Sequence, residues 1–312
     1  MISLRILLLS VVALVISCEG QDRQAGSEAA GATALEGALI VTSNYPLYFF
    51  ASRIVEGVAY APEIVLPEIE GDPALWVPNA EQIQQLQAAD AVILNGAGAE
   101  SWLNLISIDR RRLVDTSSDI VDRLIPLEGS VLHQHGPDGE HSHQGTAFTT
   151  WLDPQLAIMQ AQSITDVLIE IAPSGETGFR ENMAGLERDL VELDSIFTER
   201  FSQLDGRPIL FSHPVYQYLQ RRYVINGQSV HWEPDEAPST SDWIALQQIR
   251  AHHPASIMIW ENQPLAPTAK RLSDAGITSI TFETLANRPD QGDYLSVMRE
   301  NAEQLELILS SN

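Results

Sequence analysis

Short apolar runs bounded by turn residues alternate along this chain with segments of helical length, and that alternation limits the folds open to it. The runs are Ala38–Thr42, Glu63–Pro67, Ala91–Asn95, Pro208–Ser212, Tyr223–Ile225, Ser256–Trp260 and Thr278–Phe282. Segments such as Asn79–Ala88 and Trp243–Ala251 lie between them. Strands that alternate with helices predict an α/β fold with parallel sheets. The runs fall into two groups, separated by a stretch without strand signal from Gln155 to Leu204. Its first part reads as one helix to about Ile171, stopped by Ala172-Pro173-Ser174-Gly175. The second part, Thr177 to Leu204, carries Leu186, Leu190, Leu193, Ile196 and Phe197 at helical spacing with acidic residues between them. A helix of about 27 residues would be roughly 40 Å long, enough to join two lobes stiffly. The expected layout is two lobes, each a parallel sheet flanked by helices: an N-terminal lobe over 37–175, a linking helix over 176–205 and a C-terminal lobe over 206–312.

The first residues have a different logic. Met1 to Ser17 carries one positive charge, Arg5, followed by the apolar run Ile6 to Ile16. That run is shorter than the roughly 20 apolar residues a permanent membrane helix requires, and has the proportions of a secretory signal peptide. It ends at Val15-Ile16-Ser17-Cys18, which resembles a bacterial lipobox. Cys18 is the chain's one cysteine, so it has no disulfide partner within the chain. Lipid attachment at Cys18 accounts for it. Residues 1–18 are thus read as signal peptide and lipobox. Residues 19–36, rich in Gly, Ala, Ser, Gln and Glu, are read as a flexible tether. The body is expected to be exported and anchored to a bacterial membrane, facing the periplasm or the cell exterior.

Charge narrows the partners. Forty-two acidic residues face eighteen basic ones, a formal charge of −24. Nucleic-acid binding is excluded, because phosphate contacts need a basic patch. The acidity fits a surface that concentrates cations and equally fits adaptation to saline surroundings.

Residues 133–144, His-Gln-His-Gly-Pro-Asp-Gly-Glu-His-Ser-His-Gln, hold half of the eight histidines: His133, His135, His141 and His143. Imidazole is a common ligand for borderline metals. Gly136, Pro137, Asp138 and Gly139 make the centre a turn, so a loop bearing two His-x-His pairs reads as metal-binding. A second set of donors lies at strand ends, where open parallel sheets hold their ligands. Pro208–Ser212 leads to His213, Ser256–Trp260 to Glu261, and Thr278–Phe282 to Glu283. His231, soon after the Tyr223–Ile225 run, is close enough to face the same crevice and is a candidate substitute ligand, as is Glu261. Two features are discounted. Gly96-Ala97-Gly98-Ala99-Glu100-Ser101 follows a strand as a dinucleotide loop would, but Ser101 stands where the third glycine belongs. His252-His253 reads as a solvated helix end.

At this point the residues resemble a known family, the solute-binding lipoproteins of zinc and manganese ABC importers, the high-affinity zinc type in particular. The resemblance is carried by Ser43-Asn44-Tyr45-Pro46-Leu47-Tyr48, Gly71-Asp72-Pro73-Ala74-Leu75-Trp76-Val77-Pro78, Asn95-Gly96-Ala97-Gly98-Ala99-Glu100-Ser101-Trp102-Leu103 and Trp151-Leu152-Asp153-Pro154. It continues in Phe211-Ser212-His213-Pro214-Val215-Tyr216, and in Asp293-Tyr294-Leu295 leading to Met298-Arg299-Glu300-Asn301. The pieces come in the family's order over nearly all of 38–310. The resemblance implies two α/β lobes joined by one rigid helix, a metal in the cleft, a permease partner, a monomeric chain and no catalysis. It implies zinc as the ion, with manganese as the alternative, and a His-rich loop where 133–144 stands. It also implies three histidines and one carboxylate as ligands, and here the chain departs. Ala74 and Thr149 occupy the first two histidine positions, His213 the third, and Glu283 the carboxylate position.

Three readings follow from that departure. In the first, the metal is held at His213 and Glu283 with donors from elsewhere. His143 is six residues from Thr149, and extended chain covers roughly 3.3–3.6 Å per residue, so the loop is long enough to reach the cleft mouth. In the second, a divergent paralogue has lost its metal site and acts as a binding or surface-interaction lipoprotein. In the third, open coordination positions beside His213 and Glu283 serve a metal-dependent hydrolase, although Ser212 and His213 are adjacent and build no triad.

Overall fold

A buried apolar run must satisfy its backbone N–H and C=O groups on neighbouring strands, and the runs do so in two parallel sheets. The computed structural model describes residues 37–69, 71–127, 131–134, 140–143 and 145–309. The expected signal peptide, Cys18, the tether over 19–36 and His135 lie outside the described residues.

The first sheet has the order β2-β1-β3-β4. Its strands are β1 (Leu39–Thr42), β2 (Glu63–Val65), β3 (Ala91–Leu94) and β4 (Leu113–Asp115), all parallel. Helix α1 (Tyr45–Val55) follows β1, and α2 (Ala80–Ala88) precedes β3. β4 has no counterpart among the expected runs. It is three residues long and follows Arg110-Arg111-Arg112, so it shows no apolar run of its own. Beyond it, β5 (Val131–Gln134) and β6 (Glu140–His143) form an antiparallel ribbon in which His133 is paired with His141.

Helices α3 (Pro154–Ile171) and α4 (Glu176–Ser202) fill the stretch without strands. The second sheet, order β10-β9-β7-β8, is built from β7 (Ile209–Phe211), β8 (Gly227–Ser229), β9 (Ile257–Trp260) and β10 (Thr278–Thr281). Its pairs are also parallel. Helices α5 (Gln217–Tyr223), α6 (Thr240–His252) and α7 (Ala266–Asp274) connect these strands, and α8 (Tyr294–Leu309) follows β10. No described helix is long and apolar enough to cross a membrane.

One expected strand is corrected. Tyr223 to Ile225 is not a strand: Tyr223 closes α5, and Val224 adopts a left-handed φ of 53° that ends the helix. The Tyr223 ring stacks on Phe201, and its hydroxyl donates to Asp194 at 3.0 Å. These contacts hold the segment against α4, and the strand begins only at Gly227.

α4 is 27 residues long. Its stripe of Phe179, Met183, Leu186, Leu190, Leu193, Phe197 and Phe201 is buried in a core that also takes Ile40 and Ile93 from the first sheet and Ile209, Phe211 and Ile257 from the second. One polar group interrupts the stripe. Asp194 accepts from Arg222 Nε and Nη2 at 3.0 and 2.5 Å, from Tyr223 Oη at 3.0 Å and from Gln155 Nε2 at 2.9 Å. Burial pushes its carboxyl up, but the Arg222, Tyr223 and Gln155 hydrogen bonds outweigh this and hold its pKa below the ordinary value. The carboxylate therefore fastens α3 and α5 to the linking helix. Asp194→Ala should lower stability by about 2–4 kcal/mol, since it strands three donors at a largely buried point. A urea midpoint within error of wild type would contradict that role.

Candidate metal site

Loops leaving the carboxyl ends of the two sheets meet and are tied together by hydrogen bonds. Tyr45 N donates to Ala286 O at 3.1 Å, Trp151 Nε1 to Thr284 O at 2.6 Å, and Thr149 Oγ1 to Val215 O at 2.5 Å. The side of this cleft from the first lobe is polar but poor in metal donors. Ala74 is buried and offers only a methyl group, and the Thr149 hydroxyl is committed to Val215. A small recess here is lined by Ser43, Asp72, Ala74, Glu100, Trp151 and Ala286, among others.

Glu100 anchors this half. Its carboxyl accepts from Ser43 Oγ and Asn95 N, both at 2.7 Å, and from Gly96 N at 3.2 Å. The loop after β3 is thus a turn wrapped on a buried acid. Gly96 has φ +75°, and a Cβ there would collide with the Asp115 carboxyl and the Ser117 hydroxyl, so only glycine fits.

The second lobe carries the donors. His213 follows β7, which lies between β9 and β8. In the ladders Phe211 is level with Ile259 and with Ser229. Two residues further on, the same register puts His213 level with Glu261 and His231. The side chains agree: His213 Nδ1 is 3.2 Å from Glu233 Oε1 and 3.6 Å from Glu261 Oε1, and the His213 and His231 rings are 6.0 Å apart. His213 is 7 % exposed. Burial pulls its pKa down, but the Glu233 contact and the charges of Glu261 and Asp72 raise it above the ordinary value. Burial and the neighbouring His213 both lower His231. Desolvation pushes Glu261 up to about 7, with His213 opposing it.

Of the sequence-predicted residues, His213, Glu261 and His231 come together. Glu233 joins them unforeseen, although its spacing of two from His231 puts both on one side of an extended segment. Glu283 follows the edge strand β10, two positions from β7, which at the usual spacing is about 9–10 Å away. It is exposed, and its acidic neighbours are Glu300 and Asp290. His133, His141 and His143 lie on the β5–β6 ribbon. Among the described residues, no three His, Cys, Asp or Glu side chains as they stand enclose an ion. The Ser212 hydroxyl is buried without a hydrogen-bond partner among the described residues. His253 departs from its expected place at a solvated helix end. It caps α6 but is buried, with Nε2 2.9 Å from Ile209 O, while His252 is exposed.

Comparison with known proteins agrees with this architecture. The family described as zinc-uptake complex component A, periplasmic (ZnuA) matches residues 40–307, and the chain belongs to it. The zinc-binding protein AdcA of Streptococcus pyogenes serotype M1 is 24 % identical over 292 residues, covering 86 % of this chain and 55 % of its own. The chain thus spans about half the length of such curated relatives. Among solved structures, the metal-dependent lipoprotein YcdH from Bacillus subtilis superposes with a TM-score of 0.72 at 20 % identity, covering 88 % of this chain and 98 % of its own. The Zn(II)-bound ZnuA-like domain of Streptococcus pneumoniae AdcA gives 0.71 at 21 % identity, covering 87 % and 98 %. At these identities the likeness is one of fold.

Glu100 supplies a test of the first lobe's half of the cleft. Desolvation raises its carboxyl to about 7 against an ordinary 4.5, with the hydrogen bond from Ser43 and those from Asn95 and Gly96 opposing. The folded state therefore holds this proton more tightly than the unfolded chain does. The associated stability is complete below about pH 4.5 and is lost as pH rises through about 7. Glu100→Gln should remove about 2–4 kcal/mol of that slope between pH 4.5 and 8. Parallel pH–stability curves for variant and wild type, from urea unfolding, would refute it.

Proposed function

We propose that this chain is the extracytoplasmic, lipid-anchored solute-binding component of an ABC importer for a divalent metal, zinc first and manganese second. It captures the ion in the cleft at His213 and presents it to a permease. The observation that carries this reading is a buried imidazole two residues past β7, an inner strand of the second sheet, facing the carboxylates of Glu233 and Glu261 at 3.2 and 3.6 Å. Mixed nitrogen and oxygen donors suit zinc and also admit manganese. Family membership supports the transport role. The chain acts without catalysis in this reading: Ser212 is next to His213 in sequence and is buried, an arrangement that builds no nucleophile and base pair. The ribbon is a second zinc-binding element, since its register pairs His133 with His141 and places His143 two residues further on.

Zinc content of Ala34–Asn312, which forms one compact unit, tests the reading. The protein should retain zinc after dialysis. His213→Ala should weaken the tightest equivalent, and changing His133, His135, His141 and His143 to Gln should remove further equivalents with an unchanged unfolding midpoint. Failure of the unmodified protein to retain zinc would favour the divergent paralogue with a lost site. The anchor is tested separately. In the full chain, Cys18→Ser should move the protein from the membrane fraction to the soluble exported fraction, or leave it unprocessed. Wild-type protein recovered as a soluble form beginning after residue 18 would rule out lipidation.

A further inference from the structure

The donors that gather around His213 all come from the same lobe. His213 follows β7, His231 and Glu233 follow β8, and Glu261 follows β9. The opposite wall offers the Ala74 methyl, a Thr149 hydroxyl already bonded to Val215, and the Asp72 carboxylate, whose Oδ1 accepts from Ala74 N at 2.8 Å. We propose that this chain holds its metal ion within the second lobe alone, with His213, His231, Glu233 and Glu261 as ligands. The inference rests on the metal-binding reading above and specifies its site.

Three observations support this ligand set. The first is spacing. In a tetrahedral zinc site with bonds of about 2.0–2.1 Å, neighbouring ligand atoms are roughly 3.3–3.4 Å apart. The distances from His213 Nδ1 to Glu233 and Glu261, 3.2 and 3.6 Å, bracket that edge length. The second is the imidazole pair. Two imidazoles on one such ion have ring centres roughly 5 Å apart, and His213 and His231 are 6.0 Å apart with their planes at 69°. The side chains do not yet enclose a point, but the remaining adjustment is of side-chain size. Glutamates rotate about three bonds, and the His231 and Glu233 side chains are exposed and half-exposed on either side of the buried Trp232, whose N–H donates to Ser212 O at 2.8 Å. The third is composition. Two imidazoles and two carboxylates neutralise a divalent cation, and desolvated carboxylates facing each other are costly without one.

A one-lobe site has a consequence that a shared site lacks. Its affinity is independent of how the first lobe closes on it, so substitutions across the cleft leave binding nearly unchanged. Zinc affinity of Ala34–Asn312 and its variants, measured by competition against a chromophoric chelator, tests this. His231→Gln, Glu233→Gln and Glu261→Gln should each weaken binding at least roughly tenfold, since even groups that only orient ligands cost about 10–100-fold. Asp72→Asn, which removes only a neighbouring charge, should cost less than any of these three substitutions, and Glu283→Gln should stay within about twofold of the unmodified protein. Cobalt loading should give the intense visible bands of a four-coordinate site, and these should fade in His231→Gln and Glu233→Gln. A readout without substitution guards against misfolded variants. Zinc should protect His231 from diethyl pyrocarbonate, read by mass spectrometry, while exposed His252 continues to react. Unchanged affinity in His231→Gln and Glu233→Gln, with loss in Glu283→Gln or no protection of His231, would overturn this ligand set and leave the transport reading standing. Absence of zinc binding by the unmodified protein would overturn both.

Discussion

Burial of the apolar face of α4 is the constraint on which the rest of the molecule depends. Seven large side chains along that helix enter a core that both sheets share, and each such burial is worth about 1.5–3 kcal/mol before chain entropy is counted. A flexible linker would leave the two sheets free to rotate. A helix packed against both sets their relative position by contact. The bonds of Thr149 to Val215, Trp151 to Thr284 and Tyr45 to Ala286 then hold loops whose approach the core has already decided.

That preset geometry gives the cleft two unlike walls. One wall is a hydrogen-bonded turn around Glu100, with its acid spent on backbone and hydroxyl donors. The other is a row of strand ends bearing two imidazoles and two carboxylates. Desolvation raises the carboxylate pKa values on both walls, to about 7 at Glu100 and at Glu261. The environments differ in what neutralises the charge: on the first wall, fixed protein dipoles; on the second, the His213 imidazole. An overall charge of −24 adds a long-range attraction for cations, weakened by salt.

Much of the frame was legible in the sequence. The alternation of apolar runs and helical segments pointed to parallel α/β sheets, and the stripe at Leu186, Leu190, Leu193 and Phe197 marked the linking helix. These signals are local: they depend on side-chain period within one segment, which water enforces wherever the segment lies. Departures occurred where a segment's state depended on a distant partner. Tyr223 looked like strand because it is aromatic and followed by Val224 and Ile225, yet contacts with Phe201 and Asp194 on α4 keep it in a helix. Likewise β4, three residues long, becomes a strand only because β3 offers it a ladder.

The site divides along the same line. Sequence alone determined that His213, Glu261 and Glu283 stand at strand ends, that Ala74 and Thr149 cannot act as strong metal ligands, and that histidines crowd 133–144. Only the tertiary structure decided which of these donors are neighbours. Strand order β10-β9-β7-β8 puts Glu261 beside His213 and Glu283 at the sheet edge, and the register of β8 brings His231 and Glu233 to the same level. The physical reason is that the order of strands in a parallel sheet is set by which crossover helices pack best on its faces, a property of the whole lobe that no single segment encodes.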